Sequence, residues 1–247
     1  MIKGIYISRA GMDPKLSRME IIANNLANIN TIGFKRDALF IRKLEEITSE
    51  QVHANGTLSG LHVEQFTSYM EGAFKQTNNP LDVAIQGDGF FVIETPQGQM
   101  YTRNGNFSIA TDGTLVTGQG HPVLGEGGHI LFRELEKIEA AVLRVDEHGF
   151  ISLDGELVGR LRVVTFDSLR DLKKEGGYFS ANNTLERDLV PGEGGHLIRQ
   201  GFIEESNVDA IQEMVYMIEL SRNFEAYQRM IQTQDSSLDQ TMSVGRY

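Results

Sequence analysis

Three aspartates are the strongest candidates for chemistry in this sequence. Asp82, Asp88 and Asp112 lie beside glycine-rich or strand-like segments in the middle of the chain. Two carboxylates that flank a bond can act as general acid and general base, as they do in glycoside hydrolases. Aspartate is also common at turns, because its side chain accepts hydrogen bonds from nearby backbone N–H groups. No apolar pocket is indicated around the three residues, so the turn interpretation is the stronger one.

The histidines lack the spacing of a metal site. The chain has 6 histidines and no cysteine, and neither His-Glu-x-x-His nor another tight ligand spacing occurs. A P-loop and a Gly-x-Ser-x-Gly elbow are also absent. The sequence therefore predicts no catalytic, cofactor or metal site, and exposed turn positions for His53, His62, His121, His129, His148 and His196. A Gly-Glu-Gly-Gly-His repeat at 125–129 and 192–196 is interpreted as two similar turns.

The distribution of charge says more than the net charge of −11. An acidic chain is poorly suited to nucleic acid, whose phosphates need basic partners. Residues 1–36 carry six basic and two acidic side chains, whereas residues 202–247 carry eight acidic and three basic ones. The two ends are complementary, which favours pairing between them. No segment reaches the roughly 20 apolar residues of a membrane span, and no signal-peptide h-region is recognisable.

The longest predicted element is a helix from Glu204 to Met242. Neither glycine nor proline occurs between Gly201 and Gly245, and a helix of about 35 residues would span roughly 50 Å. Ser206 is its predicted N-cap, with Asp209 in the first turn. Apolar residues recur every seven positions, which indicates packing against other helices. Because the first half is apolar on several sides, other copies of the chain are expected to cover it.

A second helix is predicted over residues 2–30, again with apolar residues at sevens. Pro14 fits best as the start of a straighter segment that Asp13 caps, and Gly33 suits the end of the helix. Neither helix is expected to be stable alone. The apolar positions of the two helices that are predicted to form an assembly interface are Ile5, Met12, Met19, Ile22, Leu26, Ile29, Met214, Met217, Leu220, Phe224, Tyr227, Ile231 and Leu238.

The middle of the chain has the pattern of β structure. Short apolar runs alternate there with glycine-rich turns, which is typical of an antiparallel sandwich or barrel. Leu81–Gln86 and Phe90–Glu94 flank Gly87-Asp88-Gly89 and are predicted to pair as a hairpin. Further turns are predicted at 96–98 and 154–155. Residues 34–47 could continue the first helix, because Phe40, Leu44 and Ile47 have helical spacing.

The predicted fold class is α+β. Long N- and C-terminal helices form a coiled-coil-like pair, and an antiparallel β domain, a sandwich or distorted barrel, is inserted between them. The predicted domains are a helical core of residues 1–40 with 202–247, a linker or extended segment over 41–75, and a β-rich outer domain over 76–201.

Several segments carry a family resemblance. Ala23-Asn-Asn-Leu-Ala-Asn28 and Thr31-Ile-Gly-Phe-Lys35 resemble the N-terminal signature of the bacterial flagellar rod and hook proteins. Their C-terminal signature is similar to Gly201–Asp209, and the start of their β domain to Leu81–Phe91 and Tyr101–Phe107. Further matches are Glu213-Met-Val and Ile218–Ala226. The residues taken as the family motif are Asn24, Asn25, Leu26, Asn28, Gly33, Phe34, Ser206, Asn207 and Val208.

The resemblance implies a structural role. Proteins of this family polymerise helically around a hollow export channel, with the terminal helices inside and the β domain outside. The implied partners are further copies, other rod proteins and the flagellar type III export apparatus. The implied location is the basal body in the periplasmic space, reached without a cleaved signal peptide. No cofactor is implied.

The branch within the family is a finer prediction. Chain length and the run from Gly120 to Glu126 resemble the proximal rod branch more than the distal one, and the larger hook subunit fits least. Two rival interpretations come from other classes: an enzyme or carbohydrate-binding module acting on the cell wall, and an adhesin whose helices form closed trimers. Convergence of Asp82, Asp88 and Asp112 in one pocket would favour the enzyme.

Overall fold

The computed structural model describes residues 2–43, 61–133, 142–181, 186–189 and 196–244. The chain forms two compact units. Unit 1 comprises Met1–Ala27, Asp37–Ser68 and Val208–Tyr247, and unit 2 comprises Asn28–Arg36 and Tyr69–Asn207. The fold class is α+β, because helices near both ends accompany many antiparallel strands. Within the described ranges, no helix is long and apolar enough to cross a membrane.

Unit 1 contains helix α1, Ile2–Ala27, and helix α2, Ala210–Val244. Pro14 lies inside α1, so the prediction that it starts a separate segment is wrong. A proline removes one backbone hydrogen bond, and a long helix can continue past that loss. The helix ends at Ala27 and does not reach residue 30 or Gly33. The asparagines at its end account for the early stop, because they favour local hydrogen bonds over helix.

The N-cap of α2 is Asp209. Its Oδ1 accepts hydrogen bonds from the backbone N–H groups of Ile211 and Gln212 at 2.9 and 3.1 Å. The prediction of Ser206 as the cap, in a helix starting at Glu204, is therefore wrong. The chain is still a strand at Glu204, and the helix can begin only after that strand has ended.

Replacing Asp209 with alanine is expected to fray the first turn of α2. The loss of the two capping hydrogen bonds should cost about 1 kcal/mol. Hydrogen–deuterium exchange of residues 210–213 should accelerate accordingly. Asp209→Asn is the matched control, because asparagine is also a strong N-cap. Equal exchange in the alanine variant and the wild type would contradict this role for Asp209.

Unit 1 also contains a two-stranded antiparallel ribbon. Strand β1, Asp37–Lys43, pairs with β2, Leu61–Thr67, in a register that runs from Asp37 opposite Thr67 to Lys43 opposite Leu61. The helical prediction for residues 34–47 is wrong over β1, and residues 44–47 lie outside the described chain. Short apolar segments fit helical and strand periods equally well, and here pairing with β2 decides for the strand.

Unit 2 is built from short strands. The described part of the unit also contains one turn of 3₁₀ helix, Leu169–Asp171. The strands are β3 Phe74–Gln76, β4 Val83–Gln86, β5 Phe90–Thr95, β6 Gly98–Thr102, β7 Phe107–Ile109, β8 Leu115–Thr117, β9 Leu124–Gly125, β10 Gly128–His129, β11 Leu143–Val145, β12 Phe150–Leu153, β13 Glu156–Arg160, β14 Val163–Phe166, β15 Leu172–Glu175, β16 Tyr178–Ala181, β17 Glu186–Asp188, β18 Leu197–Gln200 and β19 Phe202–Glu204.

The largest sheet in the described part of unit 2 has the strand order β15-β16-β6-β5-β14-β17. The turns predicted at 96–98 and 154–155 are confirmed, because they join β5 to β6 and β12 to β13. The predicted hairpin across Gly87-Asp88-Gly89 is wrong. Strand β4 pairs with β18 near the end of the unit, whereas β5 pairs with β6 and β14. Long-range pairing of this kind leaves no local signal in the turn residues.

Strand β5 separates two hydrophobic clusters of unit 2. Phe91 and Ile93 belong to one cluster, and Phe90 and Val92 belong to the other. Successive side chains of a strand point to opposite faces, so the apolar run of β5 is buried on both sides. An uninterrupted apolar run is the expected pattern for such a central strand.

Candidate functional site

Unit 2 contains a buried ionic cluster. The Nζ of Lys35 lies 2.6 Å from Oε1 of Glu204, and Nη1 of Arg103 lies 3.7 Å from Oε2 of the same carboxylate. These side chains are only 0%, 1% and 3% exposed for Lys35, Glu204 and Arg103 respectively. We name the three residues the charge clasp. The backbone also contributes, since Lys35 donates to the carbonyl of Met70 at 2.7 Å and Glu204 accepts from Gly72 N at 2.9 Å.

Burial determines the electrostatics of the charge clasp. Removal from water lowers the pKa of the Lys35 ammonium below its ordinary value, and the nearby Glu204 carboxylate opposes that shift. Burial also lowers the pKa of the Arg103 guanidinium, again against the effect of Glu204. Glu204 therefore keeps two buried cations in a compact cluster. Removal of one partner from such a group leaves an uncompensated buried charge.

The charge clasp lies where distant segments of unit 2 meet. Gly33 N donates to the carbonyl of Glu204 at 2.8 Å, and Asn207 N donates to the carbonyl of Phe34 at 3.4 Å. The side chain of Asn207 extends this contact: its Oδ1 accepts from Arg36 N at 2.6 Å, and its Nδ2 donates to Met70 O at 2.9 Å. The points at which the chain enters and leaves unit 2 are thus held together by main-chain and amide hydrogen bonds.

Gly33 is required by close packing. Its φ is +69°, and a Cβ at this position would lie 2.5 Å from Asn104 N and 2.6 Å from the carbonyl carbon of Arg103. Only glycine fits so close to another backbone segment in this conformation. The sequence prediction gave Gly33 the role of a helix end, but α1 ends at Ala27. Its role is the close approach to the backbone of Arg103 and Asn104, which directly follow β6.

Phe34 is held by a residue from far along the chain. The Nζ of Lys174 lies 3.4 Å from the centroid of the Phe34 ring. The same ammonium donates a hydrogen bond to the carbonyl of Lys35 at 2.7 Å. Lys174 belongs to β15, so the large sheet fixes the segment that leads into the charge clasp.

The two central motif segments meet beside the charge clasp. Asp82 is buried and accepts hydrogen bonds from the side-chain amides of Asn106 and Asn79 at 2.6 and 3.1 Å. Val83 N donates to the carbonyl of Gly105 at 3.0 Å. Arg103 itself lies over the Phe90 ring, 5.1 Å from its centroid. The motif segments around Lys35, Phe90, Arg103 and Glu204 therefore form one continuous structure.

The three aspartates considered as catalytic groups are not brought together by either of two cavities in unit 2. Asp82 is engaged by two amides. Asp112 accepts from Thr114 N at 2.9 Å, and this bond lowers its pKa. None of the three lines the apolar cavity around Phe107 or the polar groove around His129. Among the described residues, no group of three or more acidic or histidine side chains could hold a metal ion.

The histidine-containing repeat has a structural role in its first copy. Residues 125–129 comprise the last residue of β9, the turn at 126–127 and the two residues of β10. There His129 contacts the Glu94 carboxylate, and Glu126 contacts the Arg160 guanidinium. Residues 192–195 of the second copy lie outside the described chain. His196 is buried, which corrects the prediction that it is exposed, because it precedes β18 at the edge of the core.

Asn25 links α1 to the ribbon within unit 1. Its amide Nδ2 donates to the carbonyl of Asp37 at 2.8 Å, and its Oδ1 accepts from Asp37 N at 2.9 Å. Thr67 of β2 donates to the Asp37 carboxylate at 2.7 Å. Asn25 is 1% exposed. The Asn25 side chain therefore makes the pair of backbone hydrogen bonds with Asp37 that a neighbouring strand would make. This contact explains why an asparagine is needed near the end of α1.

The other motif residues have simpler environments. Asn24 is exposed, and Asn28 accepts a hydrogen bond from Thr31 Oγ1 at 3.2 Å. Ser206 is partly buried, whereas Val208 is buried. The family-motif residues thus lie in both units, and Asn25 and Asn207 hold chain segments together.

The helices α1 and α2 lie side by side in unit 1. Lys15 lies over the Tyr227 ring at 4.7 Å, and Arg18 lies over the Tyr216 ring at 5.4 Å. Lys15 precedes Arg18 along α1, but its partner Tyr227 follows Tyr216 along α2. The two helices therefore run in opposite directions. Of the predicted assembly residues, Ile22 and Leu220 are buried, and the partly buried ones are Met19, Leu26, Ile29, Met217, Phe224, Tyr227 and Ile231. The side chains of Ile5, Met12 and Leu238 lie outside the described part.

A separate face of α2 is apolar and exposed. Met214, one of the predicted assembly residues, is 49% exposed, and Ile211, Val215 and Ile218 are exposed as well. At 3.6 residues per turn these four lie on one stripe, nearly opposite Leu220 and Phe224. We name them the α2 stripe. An exposed apolar stripe of this kind marks a contact surface.

Sequence reasoning did not select the residues of the charge clasp as site residues. Lys35, Arg103 and Glu204 all lie within the segments that carry the family resemblance, but Lys35 and Glu204 are 169 residues apart. The available signal was a charged residue next to an aromatic or β-branched one in each motif. That pattern occurs at many exposed positions, so it does not reveal burial.

Family models match three parts of the chain. A model for the flagella basal body rod protein matches residues 5–35. A model for the flagellar hook protein FlgE/F/G D1 domain matches residues 84–153. A model for the flagellar basal body rod FlgEFG protein C-terminal region matches residues 199–244. The two terminal matches extend to the segments that carry Lys35 and Glu204.

Full-length relatives have similar identities. The chain is 31% identical to the flagellar basal-body rod protein FlgG of Bacillus subtilis over 100% of both chains. It is 30% identical to the rod protein FlgF of Caulobacter vibrioides, over 94% of this chain and 93% of that one. It is 32% identical to FlgG of Borreliella burgdorferi, over 96% of this chain and 97% of the relative.

Proposed function

The chain belongs to the flagellar basal-body rod family, and we propose that this structural rod subunit polymerises helically around the export channel and transmits torque. The observation that carries the proposal is the exposed α2 stripe on a helix whose opposite face already packs in unit 1. Further copies and other rod proteins are the partners that would bury it. The subunit would be exported by the flagellar type III apparatus without signal cleavage and would assemble in the periplasmic space.

The antiparallel helices support this proposal. A coiled-coil-like pair of α1 and α2 would form the inner layer of the rod. The charge clasp and the Asn207 contacts would let unit 2 hold its entry and exit segments together under load. Each of these contacts is made within a single subunit.

We favour the proximal rod branch on chain length and the Gly120–Glu126 run, with the distal rod branch as the alternative. Relatives named FlgG and FlgF are about equally identical to this chain. Labelling of unit 2 in isolated basal bodies tests the branch. A label near the inner-membrane end of the rod is expected, and a label near the hook end would favour the distal branch.

The rival functions have less support. The relatives are structural rod proteins, and Asp82 and Asp112 serve the local backbone and side-chain structure. An enzyme or carbohydrate-binding module acting on the cell wall is therefore not retained. A closed adhesin trimer predicts discrete oligomers, whereas a rod subunit predicts open helical contacts.

Replacing Phe224 with aspartate is expected to abolish swimming and rod assembly. Phe224 is partly buried on the face of α2 that also carries Leu220, and a carboxylate there would have to lose water without a partner. Thermal unfolding of unit 2 should be unchanged. The measurement is motility in soft agar together with electron microscopy of basal bodies.

Gln228→Asp is the matched control for that substitution. Gln228 is exposed on the same helix, so this variant should swim and assemble like the wild type. Normal swimming of the Phe224→Asp strain would contradict the proposed role of the helices. Absence of the wild-type subunit from isolated basal bodies would contradict the rod function itself.

A further inference from the structure

Helix α1 carries an exposed stripe of its own. Leu16, Glu20, Ala23 and Ala27 are all exposed. They follow one another at spacings of four, three and four residues, so they lie along one line of the helix. Ile22 and Asn25 are buried on another side. We name these four residues the α1 stripe. Its two alanines make a shallow surface that allows a second helix to approach closely.

The α2 stripe has complementary shape. Its side chains are long or branched, whereas those at the corresponding part of the α1 stripe are alanines. One turn beyond Ile218, the same line of α2 reaches Arg222, which is exposed. Bulky residues on one surface and alanines on the other allow interdigitation, which two bulky surfaces would not.

Charge completes the match. Neither Glu20 nor Arg222 makes an ion pair or side-chain hydrogen bond with another residue whose side chain the structure describes. Whole helices show the same complementarity: α1 has four basic and two acidic residues, and α2 has five acidic and two basic ones. Among the described side chains, one charge without an ion partner thus lies on the line of each stripe, the negative Glu20 on α1 and the positive Arg222 on α2.

We infer that the α2 stripe of one subunit docks on the α1 stripe of a second copy, antiparallel, with Arg222 opposite Glu20, Ile218 opposite Ala23 and Met214 opposite Ala27. This inference rests on the proposed function and names the partner surface. From Glu20, the alanines lie three and seven residues away. From Arg222, Ile218 and Met214 lie four and eight residues away. At about 1.5 Å per residue, the two sets of spacings agree to within one residue.

The occupant is a second copy for a structural reason. Both stripes are exposed in unit 1, whereas α1 and α2 of the same chain meet through other residues, among them Arg18 and Tyr216. The same pair of helices can therefore contact each other within a subunit by one pair of faces and between subunits by another. Because the two stripes differ, the contact is head-to-tail, and each docked copy leaves one stripe free for the next. Contacts of this type build open helical filaments when the rotation per subunit does not close a ring.

Charge reversal tests the inference in cells. Glu20→Arg and Arg222→Glu, each as the sole copy, are expected to lower the amount of subunit in isolated basal bodies by about tenfold, because like charges would face each other. The double variant Glu20→Arg with Arg222→Glu should restore most of it. A double variant no better than either single one, or single variants that assemble normally, would overturn the docking.

Disulfide trapping provides a second measurement that does not depend on charge. The chain has no cysteine, so introduced cysteines report one contact only. A subunit with Ala23→Cys and Ile218→Cys should give a ladder of cross-linked multimers on oxidation of basal bodies. Each single variant should give none, and Gln228→Cys with Ala23→Cys is the control for position. Dimers formed by Ile218→Cys alone would show a symmetric contact and overturn the inference.

The outcomes separate the inference from the function on which it rests. Wild-type subunits that are absent from basal bodies would remove the rod function and the inference together. Wild-type subunits that are present, with no ladder from the double-cysteine variant, would leave the rod function in place and overturn the stripe pairing alone.

Discussion

Replacing Glu204 with glutamine is expected to destabilise unit 2 by about 3–5 kcal/mol, the range for removing one partner of a buried ion pair. Glutamine keeps the size of the side chain and removes its charge. The Lys35 ammonium, 2.6 Å away and 0% exposed, would then be buried without its carboxylate, and so would Arg103. The measurement is the free energy of unfolding from urea titration of the full chain.

Glu205→Gln is the matched control for this prediction. Glu205 is the next residue, its side chain is 48% exposed, and its nearest cationic partner, Lys75, is 3.9 Å away. An exposed pair of this kind contributes about 0–1 kcal/mol. The double variant Glu204→Gln with Lys35→Met should lose less free energy of unfolding than the sum of the losses in the two single variants. The effects of the two substitutions are coupled because the residues belong to one cluster. Equal effects of the Glu204 and Glu205 substitutions would contradict the importance of the charge clasp.

Replacing Gly105 with alanine is expected to lower the free energy of unfolding of unit 2 by a similar amount. A Cβ at Gly105 would lie 1.7 Å from the carbonyl oxygen of Val83 and 2.8 Å from its carbonyl carbon. Both are backbone atoms of a buried segment, so the added methyl cannot be accommodated by a side-chain rotation. The shift would also break the hydrogen bond from Val83 N to the carbonyl of Gly105. The free energy of unfolding is expected to fall by about 3 kcal/mol or more, which is at the upper end of the range for substitutions that overpack a core.

Gly118→Ala provides the comparison for Gly105→Ala. No heavy atom lies within 4 Å of a Cβ built at Gly118. The Gly118→Ala substitution should change the free energy of unfolding by no more than about 0.5 kcal/mol, as most surface substitutions do. Urea titration of both variants is the measurement. Stability of Gly105→Ala close to that of Gly118→Ala would show that the close approach to Val83 is not required.

The helices were predictable because their signal is local and long. An uninterrupted stretch after Gly201 with apolar residues at sevens needs no knowledge of the rest of the fold. The start of α2 was not predictable to the residue, because Ser206, Asn207 and Asp209 are all good N-caps. What excludes the earlier positions is tertiary: Glu204 is in β19, and the Asn207 side chain binds Arg36 N and Met70 O.

Pairing between distant strands was beyond the sequence alone. Gly87-Asp88-Gly89 has the composition of a hairpin turn, yet β4 pairs with β18, more than a hundred residues away. The segment around Phe40 shows a different difficulty. The spacing of its apolar residues suits a helix, but the segment forms a strand because it pairs with β2. The charge clasp combines both difficulties, since burial of Lys35 depends on three segments that meet only in the folded chain.

The bond between Asn207 Nδ2 and Met70 O, at 2.9 Å, has a consequence for evolution. Residues 71–206 begin and end side by side, because Gly72 N also donates to the Glu204 carboxylate and β3 pairs with β19. A domain with adjacent ends can grow, shrink or be exchanged while the chain on either side keeps its course. Relatives that share this anchor can therefore diversify the inserted domain in size and surface while the helical segments remain under separate selection.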